Sequence, residues 1–405
     1  MNVVIINDRG FSGGGASKVA VTSAIELARR GIDTHFFAAQ GPIASELEKG
    51  NIRFDLLDQH DLLSSPSRIS AAVGGVWNTT AQTRLIEFVA DLPKGKTILH
   101  LHSWSKALSP SIFSALRLTG HICVATLHDY GFVCPNGGLY NYQTEDNCDL
   151  TPMSMQCAAC NCDARSYTHK LWRLARHSVL NTIAAAPTSL HHAINVSSFA
   201  EDVYRPHLPS TLPSSIVNNP IDVPHLPPAA PASSSQFVFV GRLSREKGIE
   251  RLAEVAAKIG ISLKVYGDGP LMADLVKRHP EHSFMGWVDR QTVINSQREA
   301  RALILPATWR ETHGMVVSEA MALGVPCIVS SGTAPASFVQ HDKTGLIFRN
   351  GDSEDLSRML IRARDDDALV DRLGKEAYRQ YWQAPLTVDA HVDALLSLYE
   401  KLVKH

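Results

Sequence analysis

The chain has 405 residues, of which 44% are hydrophobic and 20% charged, and its formal net charge is −1. Such a composition is ordinary for a globular protein of two or three domains, and the near-zero charge argues against a broad nucleic-acid interface. The opening residues MNVVIIND lack the basic flank of a signal peptide, and no run approaches the roughly 18 apolar residues of a membrane span. We therefore expect a cytoplasmic protein.

Apolar strand-like runs alternate with amphipathic stretches along the chain, which is typical of parallel α/β sheets. In the first half this pattern predicts a helix over residues 16–30 and strands over 3–6, 34–38, 97–101, 123–127 and 182–186. In the second half it predicts strands over 237–240, 263–266, 302–305 and 327–330, with helices over 314–323 and 388–404.

Residues 222–235 (DVPHLPPAAPASSS) are rich in Pro, Ala and Ser and lack periodicity, which indicates a linker. The linker separates an N-terminal Rossmann-like domain, residues 1–221, from a C-terminal domain, residues 236–385. A final helix in residues 386–405 is expected to pack on either domain, including back on the N-terminal one. Open parallel sheets bind ligands at the carboxyl ends of their strands, so the cleft between the domains is the expected site.

The first loop, NDRGFSGGGASK, joins a predicted strand to a predicted helix. Gly14 and Gly15 allow a ligand to approach the backbone closely, and the helix start offers N–H donors for a phosphate. The loop has neither the dinucleotide-binding spacing nor the P-loop spacing. A plain tight turn is an equally good explanation, so the donor contact is a hypothesis.

Two cations follow the first strand of the C-terminal domain in FVFVGRLSREKG. Arg242 comes directly after the strand and Lys247 just before the next helix. At a strand's carboxyl end such a pair can clamp a diphosphate, Arg as a fork and Lys as a point charge. The alternative is ordinary solvated surface charge.

Two carboxylates surround a strand-to-helix junction in ETHGMVVSE, because Glu311 precedes the predicted helix and Glu319 lies within it. The backbone amides at Gly314 and Met315, where the helix begins, suit an anion. Carboxylates are poor phosphate ligands and more readily accept hydrogen bonds from hydroxyls. Hydroxyls beside a phosphate-binding helix end indicate a nucleotide sugar.

Three histidines lie on neighbouring strands of the N-terminal domain. His100 and His102 alternate along LHLHSW, and His128 ends the strand ICVATL. A strand histidine is more often structural than catalytic, but His128 is at the carboxyl end of its strand, where ligands bind. We therefore take His128 as the candidate catalytic residue of this domain.

Five of the seven cysteines lie between Cys134 and Cys162. The Cys157-x-x-Cys160 spacing is that of a metal knuckle, which Cys134 and Cys148 complete to four ligands. Structural zinc is the expected metal, since an irregular insertion over residues 134–162 has little core of its own. Cys162 is a spare ligand, and an iron–sulfur cluster or unliganded thiols are the alternatives. Disulfides are disfavoured in a cytoplasmic chain.

The run after the cysteines, SYTHKLWRLARHS, mixes Lys170, Arg173 and Arg176 with Leu171 and Trp172. One hypothesis is peripheral contact with a membrane surface or a lipid-linked acceptor. An amphipathic helix packed on its own domain explains the pattern equally well.

Together these residues resemble the family 4 retaining glycosyltransferases of the GT-B fold, in which two Rossmann-like domains with parallel sheets face each other across a cleft. The resemblance covers nearly the whole chain and rests on GGGAS, LHDY, NNPID, GRLSREKG, YGDGP and ETHGMVVSEAMALGVP. It implies that a nucleotide-diphosphate sugar binds mainly to the C-terminal domain, with Arg242 and Lys247 on the diphosphate.

The same resemblance implies roles for three further residues. Glu319 would hold the ribose, Glu311 would lie by the donor sugar, and His128 would contact the sugar from the N-terminal domain. His313 lies in ETHG, where the family often has EGFG, so the sugar pocket is expected to differ.

The sequence therefore predicts a retaining hexosyltransferase that acts on a glycan or lipid-linked acceptor in surface polysaccharide synthesis, at the inner face of the membrane or free in the cytoplasm. Cations and helix amides stabilise the departing diphosphate, so the transfer itself is expected to need no metal. A GT-B sugar-nucleotide epimerase and a non-catalytic nucleotide-sugar-binding scaffold subunit are the alternatives.

Overall fold

The computed structural model describes residues 1–50 and 52–404. Its residues form two compact units, each with its own parallel sheet. Unit 1 comprises Met1–Gly138, Asp149–Pro220 and residues 387–404, and unit 2 comprises Leu139–Cys148 and Ile221–Leu386. His405, the last residue of the predicted final segment, lies outside the described residues.

Most strands are short and buried, as the apolar runs predict. The described strands are β1 Asn2–Arg9, β2 Asp33–Gln40, β3 Arg53–Leu56, β4 Thr97–Leu101, β5 Ile122–Leu127, β6 Tyr140–Asn141, β7 Asp146–Asn147, β8 His192–Asn195, β9 Ser214–Ile216, β10 Phe237–Val240, β11 Leu263–Tyr266, β12 Ser283–Gly286, β13 Ala302–Leu305, β14 Cys327–Ser330 and β15 Gly345–Phe348.

Helices connect most of these strands. The described helices are α1 Gly15–Arg29, α2 Ser45–Lys49, α3 Arg68–Val76, α4 Thr79–Phe88, α5 Ser111–Thr119, α6 Met155–Ala159, α7 Tyr167–Asn181, α8 Ala186–Ser189, α9 Ser198–Tyr204, α10 Ile249–Lys258, α11 Met272–Arg278, α12 Arg290–Arg298, α13 Met315–Leu323, α14 Pro335–Phe338, α15 Ser353–Asp365, α16 Asp367–Gln383 and α17 Val388–Val403.

The sheet of unit 1 has seven strands in the order β3-β2-β1-β4-β5-β8-β9. From β1 the chain builds outwards through β2 and β3, then returns to the other side of β1 with β4. The strand order therefore reverses between β1 and β4, and open α/β sheets bind ligands outside the carboxyl ends of the strands at such a point. In this unit the glycine loop follows β1, and His102 follows β4 directly.

The six-stranded sheet of unit 2 has the order β12-β11-β10-β13-β14-β15, and every pair in it is parallel. Here the reversal lies between β10 and β13. The loops that follow these two strands carry Arg242, Lys247 and Glu311. The topology thus brings the predicted diphosphate cations and one predicted carboxylate to the same edge of the sheet.

Several predicted strands match the structure to within one residue, but the prediction for residues 182–186 is wrong. α7 ends at Asn181, α8 begins at Ala186, and the buried strand follows later as β8. The run TIAAA joins the two helices, with Ile183 exposed and Ala184 and Ala186 buried. Periodicity alone does not distinguish such a run from a strand.

The short hairpin β6–β7 belongs to unit 2, although it lies inside the cysteine-rich segment that the sequence placed with the N-terminal domain. The Tyr140 hydroxyl lies 2.8 Å from the Thr308 hydroxyl, and the Asn147 amide donates to the Thr308 carbonyl oxygen over 3.1 Å. These side-chain bonds attach the hairpin to the loop after β13. Residues 134–162 therefore do not form a single insertion into one unit.

Residues 222–235 pack on unit 2 instead of extending as a free linker. Arg290 and the Tyr378 hydroxyl donate to the carbonyl oxygens of Asp222 and Leu226, and the Ala229 amide donates to that of Leu323 over 2.8 Å. Side chains of distant helices satisfy this irregular backbone, which local periodicity does not reveal.

Helix α17 packs on unit 1, one of the two alternatives that the sequence left open. The Tyr399 hydroxyl lies 2.5 Å from His100 Nδ1 in β4. His391 lies 2.9 Å from the Ser23 hydroxyl in α1 and 2.7 Å from the Asn218 carbonyl oxygen. Arg30, after α1, pairs with Asp393. The C-terminal segment therefore completes the core of the first unit.

Gly248, between Lys247 and α10, holds the two site loops of unit 2 together. Its φ is 69°, in the left-handed region, and a Cβ atom built on it would lie 2.0 Å from the Pro306 carbonyl oxygen. No side chain fits between two backbones at this distance. Gly260 has a similar φ of 71° but open space around the Cβ position.

Replacing Gly248 by Ala tests this close approach. We expect Gly248→Ala to lower the free energy of unfolding by about 2–4 kcal/mol, about 1 from the left-handed backbone and the rest from overpacking. Gly260→Ala is the matched control and should cost only about 1 kcal/mol. Urea unfolding measures both. Equal losses in the two variants would contradict the close approach.

The buried contact of α17 predicts a pH dependence of stability. Burial lowers the pKa of His391 from 6.5 to about 4. As the pH falls from 6.5 to 4, the unfolded chain therefore binds a proton that the folded chain does not, and stability decreases. We expect this group to account for a loss of up to about 3 kcal/mol at pH 4 relative to pH 7. Urea unfolding at several pH values should show this part of the slope absent in His391→Gln and retained in His169→Gln, a change at an exposed position.

Candidate functional site

The loops after β10 and β13 meet through their backbones. The Thr308 amide donates to the Glu246 carbonyl oxygen over 2.9 Å. On the other side of β10, a Cβ atom on Gly267 would lie 2.0 Å from the Gly241 carbonyl oxygen. Three successive loops are thereby packed side by side at the carboxyl ends of β11, β10 and β13.

Lys247 and Glu311 form an ion pair at this edge. Glu311 is 7% exposed, and it also accepts a hydrogen bond from Trp309 Nε1 over 3.1 Å. The Lys247 ammonium lies 5.0 Å from the centre of the Trp309 ring, within range of a cation–π interaction. A buried carboxylate thus has two donors, and the structure brings together two of the predicted site residues.

Arg242 has a different environment. It is exposed at the end of β10 and has no ion-pair partner among the described residues. Its guanidinium can therefore turn to a ligand at this edge without breaking an internal pair.

The start of α13 is the third part of this site. Gly314 lies just before the helix with a φ of 71°, and as a glycine it has no side chain with which to cap the amides that begin at Met315. Amides at a helix start are partners for an anion. Glu319, within the same helix, is 6% exposed, and Arg290 Nη1 lies 3.2 Å from its carboxylate.

Unit 2 also has a cavity of about 750 Å³, and none of the predicted donor-binding residues lines it. It lies between the β6–β7 hairpin and the start of α15, where Arg251, Thr308 and Asn350 line it. Size alone therefore does not locate the predicted site.

In unit 1 the glycine loop turns sharply before α1. Gly14 has a φ of 155°, Gly15 begins the helix, and the Arg9 guanidinium donates to the Gly13 carbonyl oxygen over 2.6 Å. Asp8 accepts backbone hydrogen bonds at 2.9 Å from three residues of the loop after β4. A buried carboxylate thus holds the second loop at this edge.

His128 is half-buried at the end of β5, where its Nε2 lies 3.0 Å from His102 Nδ1. Both rings line a small cavity of about 40 Å³ at the carboxyl ends of β4 and β5. Burial holds the pKa of His102 well below the ordinary value of 6.5. A neutral His102 shares one hydrogen bond with His128 and thereby orients its ring.

The isolated cysteines are core residues, as the apolar runs predict. Cys123 and Cys327 are fully buried, and burial raises the pKa of the Cys123 thiol to about 12. Of the predicted metal ligands, Cys134, Cys157 and Cys160 lie in unit 1 and Cys148 in unit 2.

The hypothesis of a basic membrane-facing helix does not agree with the side chains of α7. Lys170 is fully buried, and Arg173 pairs with Asp163 over 2.7 Å. The Arg176 guanidinium lies 5.0 Å from the Trp104 ring and donates to the Ser105 carbonyl oxygen. The partners of these cations all lie in unit 1, so the cations stabilise that unit. In the described part of the chain, no helix is both long enough and apolar enough to cross a bilayer.

Sequence reasoning missed Arg290, Trp309 and His102 as members of these sites. Trp309 lies two residues before Glu311, so proximity in sequence could have identified it. Arg290 lies 29 positions before Glu319 in another helix, and no local spacing connects the two.

Residues 227–380 match the family described as "Glycosyl transferases group 1". Over 160 residues the chain is 29% identical to the sulfoquinovosyl transferase of Arabidopsis thaliana, covering 37% of this chain and 31% of that protein. Over 109 residues it is 35% identical to the GDP-mannose-dependent alpha-mannosyltransferase of Mycolicibacterium smegmatis, covering 27% and 29%. The chain thus spans less than a third of the length of either relative, and the family match is confined to residues 227–380.

Solved structures resemble the whole chain. Sucrose-phosphate synthase from Thermosynechococcus elongatus matches with a TM-score of 0.72 and 20% identity, over 99% of both chains. Anabaena HepE in complex with UDP-glucose matches with a TM-score of 0.71 and 14% identity, over 99% of this chain and 100% of that one. With the two parallel sheets, this similarity confirms the predicted GT-B fold.

The ion pair of unit 2 can be tested through stability. Lys247→Met removes the ammonium from a nearly buried carboxylate, so we expect a loss of about 2 kcal/mol in the free energy of unfolding. Adding Glu311→Gln, which removes the uncompensated charge, should recover most of it. Urea unfolding of the two variants decides, and a double variant no more stable than Lys247→Met would contradict the pairing.

Proposed function

We propose that the chain is a retaining glycosyltransferase of hexosyltransferase type. It moves a sugar from a nucleotide-diphosphate sugar to a glycan or lipid-linked acceptor, in cytoplasmic steps of surface polysaccharide synthesis. The observation that carries this proposal is the group of Arg242, Lys247, Glu311 and the start of α13 at one edge of the unit 2 sheet.

The diphosphate is the part of the donor that this edge suits best. Arg242 is exposed, and Lys247 carries three N–H donors, of which Glu311 takes one. The ammonium can thus bridge the carboxylate and a phosphate oxygen. The amides at Gly314 and Met315 add uncharged donors. A site built this way holds a dianion with groups of the protein, so transfer requires no metal.

The carboxylates suit the hydroxyl-bearing parts of the donor. Glu319, oriented by Arg290, accepts from the ribose, and Glu311, fixed by Lys247 and Trp309, lies beside the sugar. Both are largely buried, and a hydroxyl that binds there replaces water without leaving the carboxylate unpaired.

During transfer, the bond between the anomeric carbon and the diphosphate oxygen breaks, and its electron pair stays on the diphosphate. Arg242, Lys247 and the helix amides stabilise that charge as it develops. The acceptor hydroxyl attacks from the leaving-group face and forms the new carbon–oxygen bond, and its proton passes to the departing phosphate oxygen. The anomeric configuration is retained.

Unit 1 supplies His128 for contact with the donor sugar and Gly14 and Gly15 for the donor's phosphates, as the sequence predicts. The hydrogen bond that His128 shares with His102 supports the first role, because it fixes the His128 ring. The open space around the Cβ position of Gly14 supports the phosphate contact, because no side chain blocks the approach of a ligand to the backbone there.

The relatives support sugar transfer but differ in their donors. Their names specify sulfoquinovosyl transfer and GDP-mannose, whereas the HepE structure contains UDP-glucose. The proposal therefore names the diphosphate sugar as a class. We further propose that the cysteine-rich segment binds a structural zinc ion, which has no part in the transfer.

Alanine replacement of the cations tests the proposal. We expect Arg242→Ala and Lys247→Ala to lower turnover by about a hundredfold or more, because each removes a donor that stabilises the leaving group. Arg245→Ala removes an exposed cation of the same loop and is the matched control, expected to stay near wild-type turnover. The donor is first selected by thermal shift against UDP-, GDP- and ADP-sugars.

Turnover is then measured with and without acceptor. Sugar transfer that depends on acceptor supports the proposal, and isomerisation or release of donor without acceptor supports an epimerase. Donor binding with no turnover under either condition indicates a scaffold subunit. Near-normal turnover in both cation variants would overturn the assigned diphosphate site.

A further inference from the structure

The cavity of about 750 Å³ in unit 2 is a feature that no step of the proposed function uses. Its walls are the hairpin residues 144–147, Arg251 of α10, Thr308 after β13, and residues 350–354, where α15 begins. All of these residues belong to unit 2. Ligand sites in proteins typically occupy about 300–1,000 Å³, so the cavity can hold a small ligand or part of a larger one.

Hydrogen bonds fix the walls of this cavity relative to one another. The side-chain amides of Asn147 and Asn350 donate to one acceptor, the Thr308 carbonyl oxygen, over 3.1 Å and 2.9 Å. Asp352 caps α15 by accepting from the Asp355 amide over 2.9 Å. The hairpin, the loop after β13 and the start of α15 are thereby joined. The fold of unit 2 thus shapes the cavity before any ligand binds.

Two polar groups of the lining have no internal partner. The half-buried guanidinium of Arg251 forms no ion pair or hydrogen bond within the part of the chain that the structure describes. Asn147 Oδ1 is buried, and it also lacks a hydrogen-bond partner among the described residues. A buried polar atom without a hydrogen bond costs free energy, so a ligand or an ordered water is expected at such an atom. The cavity therefore offers both donors and an acceptor.

The charges of the lining select the class of ligand. Arg251 is the one cation of the lining, and the four carboxylates belong to Glu145, Asp146, Asp352 and Glu354. This excess of negative charge repels phosphate and carboxylate groups. Carboxylates accept hydrogen bonds, guanidinium and amide groups donate them, and a hydroxyl does both. The lining therefore suits the hydroxyls of an uncharged saccharide.

A metal ion fits these carboxylates less well. One ion requires several ligand oxygens around a single point. Among the residues described, no three of the lining carboxylates bring their oxygens within 4.8 Å of one another. Asp352 is also committed to capping α15 and to its pair with Arg349, over 2.6 Å. The spacing thus favours a ligand with many hydroxyls over an ion.

We propose that this cavity binds sugar residues of a neutral glycan acceptor. The inference rests on the proposed function and deepens it, because it names the acceptor as an uncharged saccharide chain. Thr308, whose carbonyl oxygen joins the walls, directly precedes Trp309 in the loop that also carries Glu311. One loop therefore borders both the cavity and the donor site. A chain of several sugars can occupy both places, whereas a monosaccharide reaches only one.

Saccharide binding to the full chain without a donor tests the site directly. The probes are neutral tetrasaccharides of glucose, galactose, mannose and N-acetylglucosamine, with tetragalacturonate as the anionic comparison. By isothermal titration calorimetry we expect at least one neutral probe to bind, and the anionic probe to bind more weakly. Arg251→Ala should weaken neutral binding by about tenfold or more, because a charged donor is lost. Lys258→Ala, at an exposed cation of α10 outside the cavity, is the matched control and should leave it unchanged.

Hydrogen exchange locates the bound saccharide and covers the case in which Arg251→Ala does not fold. The neutral probe should slow amide exchange at residues 144–147 and 350–354 of the wild type. The inference is overturned by any of four results: no binding of any neutral probe, equal affinity in Arg251→Ala and Lys258→Ala, tighter binding of tetragalacturonate, or protection only at other residues.

Turnover separates this inference from the proposed activity. With the bound tetrasaccharide as acceptor, Arg251→Ala should raise the acceptor KM by about tenfold with little change in kcat, because Arg251 contacts no reacting group. Transfer with the same acceptor KM in Arg251→Ala and Lys258→Ala, or a bound probe that receives no sugar from a bound donor, contradicts the acceptor role alone. If a saccharide binds in the cavity but no nucleotide sugar stabilises the protein, the proposed function fails and the saccharide site remains.

Discussion

The binding edge of unit 2 depends on the contact between Gly248 and the Pro306 carbonyl oxygen, where two backbones meet with no side chain between them. Lys247 is the residue before this glycine, and Glu311 follows five residues after the proline. The close approach therefore places a cation of one loop on a carboxylate of the other. Each loop alone presents its charges to water, whereas the two together pair Lys247 with Glu311.

Lys247 and Lys170 show how an ammonium acquires different functions from its partner. Lys247 is partly exposed and pairs with an oxygen anion, so that a phosphate can share or replace its partner. Lys170 has no contact with water and is held by two sulfurs. The first geometry suits a ligand that comes and goes, and the second suits a permanent contact inside the fold.

In unit 1, the end of the chain supports the strand that precedes His102. Tyr399 of α17 and Thr126 of β5 hydrogen-bond the two ring nitrogens of His100, whose ring centre lies 4.2 Å from that of His102. Burial keeps the pKa of both rings well below the ordinary value, and His102 Nδ1 shares a hydrogen bond with His128 Nε2. The orientation of His128 thus depends on residues far away in sequence.

The sequence by itself determined the alternation of strands and helices and the segments that reach the carboxyl ends of the sheet. These follow from local periodicity and from glycines at turns, which neighbouring residues define. The GT-B fold was implied by the resemblance of its motifs to a known family. Only the tertiary structure decided the partners: Arg290 with Glu319, Lys170 with two cysteines, the hairpin with Thr308, and α17 with unit 1. Each of these contacts joins residues that no period connects, and their free energy comes from burying charges and polar groups that become neighbours only after the chain has folded.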